Sequence, residues 1–212
     1  MTLTTVHDLE PAVHAKPPPS FSAHAARRLS SWRWWVVSTT VFVAFAAVFF
    51  GTRAPFSVTT VESTCGQAPP DVRFSSSAAE VNDFLVACGA AGRSAYTNMQ
   101  LADLVYPAVF GVFLATSLGV ALRRLGAGGP AVVGLAMLPV LGTAFDYLEN
   151  VFAWRALTAF PEPSATDGLL GVATAAKTTT FWLAGLLLVA VITMLGIRTI
   201  QRRVARFDTD AA

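Results

Sequence analysis

Charged residues are scarce in this chain. Asp, Glu, Lys and Arg make up 13% of its 212 residues, against 54% hydrophobic, too few to keep the surface of a soluble domain wet. Histidine is missing after His24: all three, His7, His14 and His24, fall in the first thirty residues, so the rest of the chain cannot build a histidine metal site or a histidine base. Lysine is limited to Lys16 and Lys177, and cysteine to Cys65 and Cys88. No Gly-x-Ser-x-Gly, His-Glu protease pair, Walker glycine loop or Cys-x-x-Cys occurs, which removes the support for a named hydrolase, a nucleotide-driven pump or a thiol oxidoreductase. The formal charge of +2 comes without an aromatic-interleaved basic stripe, so nucleic acid is not an expected partner.

Long charge-free runs are what the chain does have. Residues 34–52, 104–122, 125–145 and 178–197 contain no Asp, Glu, Lys or Arg, and each is close to the ~20 residues that carry a helix across ~30 Å of hydrocarbon. Four spans follow, at about 33–51, 103–122, 131–152 and 172–196. They belong to a membrane domain over 31–198, between a disordered tail at 1–30 and a second tail at 199–212. The first tail holds Pro11 and Pro17-Pro18-Pro19, a composition that needs no core. The first span suits an uncleaved signal anchor, being too long and too far along for a cleaved signal peptide.

Lys and Arg orient the spans. The side with both tails and the 123–130 turn carries ten, Lys16, Arg27, Arg28, Arg33, Arg123, Arg124, Arg198, Arg202, Arg203 and Arg206; the other carries five, Arg53, Arg73, Arg93, Arg155 and Lys177. Basic flanks stay in the cytoplasm, so both termini are expected there. High Ala, Gly and Arg usage is that of a GC-rich bacterium, which makes its plasma membrane the expected location.

The outer cap at 53–102 is the one long connection. Ser77-Ala78-Ala79-Glu80 has capping-box spacing, and Val81, Phe84, Leu85 and Cys88 form the apolar stripe of a helix over 78–89. Gly89 and Gly92 interrupt it, and a second helix from near Ser94 is expected to run straight into the second span, kinked by Pro107. Cys65 and Cys88 share this exterior segment, so a disulfide is expected, closing a loop that is worth about 3–4 kcal/mol by chain entropy. Free, intermolecular or redox thiols are the alternatives. The predicted architecture is an all-α membrane protein, an antiparallel four-helix transmembrane bundle under an extracytoplasmic, helical, disulfide-closed loop.

The polar residues of the spans gather near one end. Asp146, Glu149 and Asn150 stand at i, i+3 and i+4, so one helix face presents all three. The topology adds Asp103 at the start of the second span and Lys177 in the first two turns of the fourth, with Arg93 close enough to join, and Tyr106 and Tyr147 at the mouth. Carboxylates in such a layer repel unless a cation or a proton neutralises them; Lys177 is the leading neutraliser. The first reading is a structural or accessory bundle tied by ion pairs, Asp146 or Glu149 with Lys177 and Asp103 with Arg93. A second is a lipid- or small-amphiphile-binding site or a metal-assisted membrane enzyme, with no required cofactor and a divalent cation on Asp103, Asp146 and Glu149 as the option. A third is a small transporter or transporter subunit, though no internal repeat supports it. Membrane lipids are expected partners. Gly111, Ala115 and Gly119, at four-residue intervals, allow close helix approach to a second copy or another membrane protein.

Gly92-Arg93, Tyr96, Asp103 and Tyr106-Pro107, followed by Pro139 and Asp146-Tyr147-Leu148-Glu149-Asn150, resemble the pattern of small, uncharacterised four-span bacterial-type membrane proteins. The resemblance covers residues 90–155. It implies the topology and a shared polar layer, and carries no catalytic assignment.

Overall fold

The structure is a computed structural model that describes residues 21–163 and 166–210. Its elements are α1 (Phe21–Leu29), α2 (Trp32–Gly51), α3 (Val58–Cys65), a 3-10 turn (Pro70–Val72), α4 (Ala78–Asp103), α5 (Tyr106–Leu125), α6 (Gly129–Ala159) and α7 (Asp167–Asp210). Four stretches are long and apolar enough to cross a membrane: α2, α4 with α5, α6 and α7. Among the described residues there is no strand.

Two stretches expected as tails contain helix. Within the first, α1 places Ala26 in the core beside Val132 and Leu122; its alanines favour a helix, and Arg27 and Arg28 lie in the last turn, where the helix dipole attracts cations. The rest of that tail, residues 1–20, lies outside the described residues. At the other end α7 continues through 199–210, with 199–207 exposed.

The outer cap is built from local signals. Ser57 Oγ accepts from Thr60 N at 3.2 Å to start α3, and Ser77 and Glu80 close the capping box at the start of α4, with Ser77 N donating to Glu80 Oε2 at 2.7 Å. A Cys65–Cys88 disulfide joins the two helices. Val61, Val81, Phe84 and Leu85 are buried around it with Tyr96 and Met99. Gly89, at φ +59°, interrupts α4, a conformation that disfavours residues with a Cβ.

As expected, α4 runs on into the second span as one apolar stretch, Ala78–Leu125, disturbed near Pro107. A turn at residues 104–105, whose backbone stays in the right-handed region, separates the end of α4 at Asp103 from α5, which has Pro107 in its first turn. Pro107 has no amide hydrogen to return to the carbonyl of Asp103 four residues earlier, so the helix ladder fails there.

Helix α5 is the centre of the bundle: it packs on α2, α6 and α7. A Cβ on Gly111 would run into Thr143 Oγ1, and one on Gly119 into the carbonyl of Leu29. The small-residue stripe is therefore used inside the chain, for α6 and the end of α1. Helix α2 leans on α5 through Ser38 and Thr116, 2.8 Å between hydroxyls, and through Phe42 stacked on Phe113 at 4.4 Å. The other faces of α2 are largely exposed apolar surface, Val36, Val41 and Val43 among them. Between α2 and α7 runs a cleft floored by α5, holding two cavities.

Candidate functional site

Helix α6 carries two polar faces. Thr143, Tyr147 and Asn150, at i, i+4 and i+7, donate to backbone carbonyls at the α4–α5 junction: Thr143 Oγ1 to Pro107 O at 3.0 Å, Tyr147 Oη to Leu104 O at 3.1 Å, and Asn150 Nδ2 to Asp103 O at 3.1 Å. The last takes over the carbonyl that Pro107 leaves without a helical donor, and an unmet buried carbonyl would cost ~1–3 kcal/mol. Asp146 and Glu149 face α7. Lys177 Nζ reaches Asp146 Oδ1 at 3.2 Å and also pairs with Glu149 Oε2. Thr174, one helical turn before Lys177, donates to the other Glu149 oxygen and to Leu170 O at 2.9 Å.

Two acids approach from the cap and the junction. Asp103, 4% exposed, ends α4; Asp71, 3% exposed, is turned inward by the 3-10 turn that Pro69 and Pro70 begin. Gln100 Nε2 donates to Asp71 Oδ2 at 2.5 Å. Asp71 Oδ1 and Gln100 Oε1 are buried with no hydrogen-bond partner, as is Tyr96 Oη. Asp71 lies outside the apolar spans, and burial pushes its carboxyl above the ordinary range; Lys177, backbone and Gln100 interactions pull the other way, while Asp146 adds to the rise.

These groups form the polar end of a cavity of about 550 Å³. Asp71, Asp103, Asp146 and Lys177 line it together with Arg73 at the cap. Its walls are aromatic, with Phe49, Tyr106 and Phe110 on one side and Phe181 and Trp182 on the other. Tyr106 stacks on Phe49 at 5.4 Å and on Phe110 at 5.7 Å. Arg73 is held by the carbonyl of Ala68 and by Gln67 Oε1, at 2.7 and 3.0 Å from Nη2, and no carboxylate pairs with it among the described residues.

The structure thus gathers Asp103, Tyr106, Asp146, Glu149, Asn150 and Lys177. It does not bring in Arg93, and the expected Asp103–Arg93 pair is absent. Gly89 opens α4 a turn before Arg93, whose Nη1 takes the carbonyl of Leu85 at 2.9 Å while the guanidinium lies 4.2 Å from the Phe160 ring. Tyr147 is spent on Leu104 and does not line the cavity. Asp71 and Thr174 escape the sequence reading. Thr174 is legible in hindsight from its i−3 position to Lys177, whereas Asp71 had only the Pro-Pro-Asp turn as a signal.

Four carboxylates, Asp71, Asp103, Asp146 and Glu149, share one ammonium. Lys177 contacts two of them, and Asp71 and Asp103 have no ion pair among the described residues. Removing an ionised carboxylate from water costs several kcal/mol, so the unpaired two call for protons or for a cation brought from outside. Among the described residues no three His, Cys, Asp or Glu side chains form a metal-binding group. Comparisons with known proteins found no matching family model, curated protein or solved structure.

Proposed function

We propose that the chain is a multi-pass protein of a bacterial plasma membrane, an antiparallel bundle with both termini cytoplasmic, that binds amphiphiles with a cationic head. The ligand enters sideways between α2 and α7 from the outer leaflet. Its head lies against Asp71 and Asp103, and its apolar body against Tyr106, Phe110, Phe181 and Trp182. One observation carries this reading: the aromatic cavity ends on two buried acids that have no ion pair among the described residues, one of them with a buried oxygen that accepts no hydrogen bond. Aromatic faces and carboxylates both favour a desolvated cation, and apolar walls with a few convergent polar groups are what ligand sites have.

The other half of the polar layer supports the structural reading, and the two coexist. Glu149 is closed on Thr174 and Lys177 and holds α6 against α7. We assign it to assembly, and Asp71 and Asp103 to the ligand.

A matched pair of ions tests the proposal. Tetraphenylphosphonium and tetraphenylborate have one shape and opposite charge. Equilibrium dialysis of the purified chain should show saturable binding of the phosphonium, weakened at least about ten-fold by Asp103→Asn, equivalent to about 1.4 kcal/mol. Equal uptake of both ions, or phosphonium binding that Asp71→Asn and Asp103→Asn leave unchanged, would remove the site.

A further inference from the structure

The second cavity lies along the same cleft towards the α5–α6 turn and has about 690 Å³. It is independent of the acid-lined site. Its walls are Trp35 and Phe113 on one side and Leu188, Ile192 and Leu195 on the other, with Arg124 at the mouth. The polar groups of its floor are satisfied, Trp35 Nε1 donating to Ser117 Oγ at 3.1 Å and Thr39 Oγ1 to Trp35 O at 2.7 Å. The floor therefore asks for no polar ligand, and the mouth does. The Arg124 guanidinium lies 5.5 Å from the Trp32 ring and has no carboxylate partner among the described residues.

Arginine predominates around that mouth. Residues 24–40, 113–137 and 186–207 contain nine arginines and no Asp or Glu, with Asp208 and Asp210 following in the last turn of α7. Thr199, on the cavity wall, also borders a recess of about 190 Å³ lined by Arg202, Arg203 and Arg206. An apolar slot opening onto arginines matches a molecule with an acyl chain and an anionic head. Basic clusters at a membrane face attract anionic lipids at ~1 kcal/mol per residue, and the slot gives such a lipid a fixed place.

We infer that this cavity holds an acyl chain of one anionic phospholipid, its phosphate against Arg124 and the arginines of α7. Glycine at 196 leaves room: a Cβ there would meet nothing within 4 Å, so a large side chain can project into the slot without disturbing the helix.

Delipidated full-length protein in a neutral detergent, titrated with phosphatidylglycerol or phosphatidylcholine of identical chains and read by native mass spectrometry, tests the inference. Phosphatidylglycerol should bind one per chain and at least about ten-fold more tightly. Arg124→Gln should weaken it about five-fold, the worth of one cationic contact, and Gly196→Phe should block it while leaving all the arginines in place and the helical content unchanged. Equal affinity for the two lipids overturns the inference. So does either variant binding phosphatidylglycerol as the parent does.

Discussion

The two halves of the α2–α7 cleft share a floor, α5, and differ in charge. One ends on Asp71, Asp103 and Asp146; the other opens onto Arg124 with Arg202, Arg203 and Arg206 beyond. The acids are buried and short of partners, whereas Arg124 is exposed at the surface. A buried charge without a counterion is costly and an exposed arginine is not, so the acid end is the part of the molecule with an electrostatic demand to meet. The arginine end only offers attraction. The difference teaches that aromatic or apolar walls alone do not define what each half takes; the charge at its end does.

The sharpest way to break the comparison is to remove the ammonium that pairs with Asp146 and Glu149. Lys177→Met leaves Asp146 and Glu149 facing each other without it, and should lower stability by about 3–5 kcal/mol, read as thermal unfolding in detergent. Adding Glu149→Gln should recover part of that loss. If Lys177→Met unfolds like the parent, the acid end is not under charge strain.

Next in size is the pH dependence. Asp71 has its carboxyl raised by burial, so it keeps its proton above the ordinary carboxylate range and loses it when a cation arrives. The groups facing it are Lys177, Asp146, Glu149, Asp103, Tyr96 and Gln100. Affinity for tetraphenylphosphonium should therefore rise as pH passes upward through that raised value, with proton release on binding. The sign for stability is opposite. Without ligand, the folded state binds more protons than the unfolded state between the two values, so Asp71 makes stability fall as pH rises there. Asp71→Asn should flatten both slopes, and phosphonium titrations between acid and neutral pH would report it.

Smaller effects should be confined to one region. Ser77→Ala removes the capping box and should cost about 0.5–2 kcal/mol, seen as faster hydrogen exchange in the first turns of α4. Ser38→Ala breaks the Thr116 contact on α5 and should cost about 0.6 kcal/mol, a change to be read by differential scanning calorimetry. Arg124→Gln should stay within ±0.5 kcal/mol of the parent, as an exposed substitution does.

Much of this frame is readable from residues alone. The four expected spans, 33–51, 103–122, 131–152 and 172–196, fall within the four apolar helical stretches, and the Cys65–Cys88 bridge is present. Spacing is enough to put Asp146 and Glu149 on the face that meets α7, because a helix repeats every 3.6 residues, whereas Asn150 turns to the α4–α5 junction instead of joining them. What was not legible depends on contacts distant in sequence. Asp71 enters the site because a three-residue turn is pressed against α7 and α4, which nothing local specifies. Arg93 leaves it because Gly89 adopts a backbone conformation that frees a nearer acceptor. Pro107 signals a disturbance, and only the position of Asn150 shows that the carbonyl it leaves is met from α6.

Photo-crosslinking with a lipophilic phosphonium that carries a benzophenone tests the central claim most directly. The account predicts saturable labelling, competed by tetraphenylphosphonium, on peptides holding Tyr106, Phe110 and Trp182. Labelling at Leu188, Ile192 and Thr199, or labelling that unlabelled phosphonium does not reduce, would contradict it.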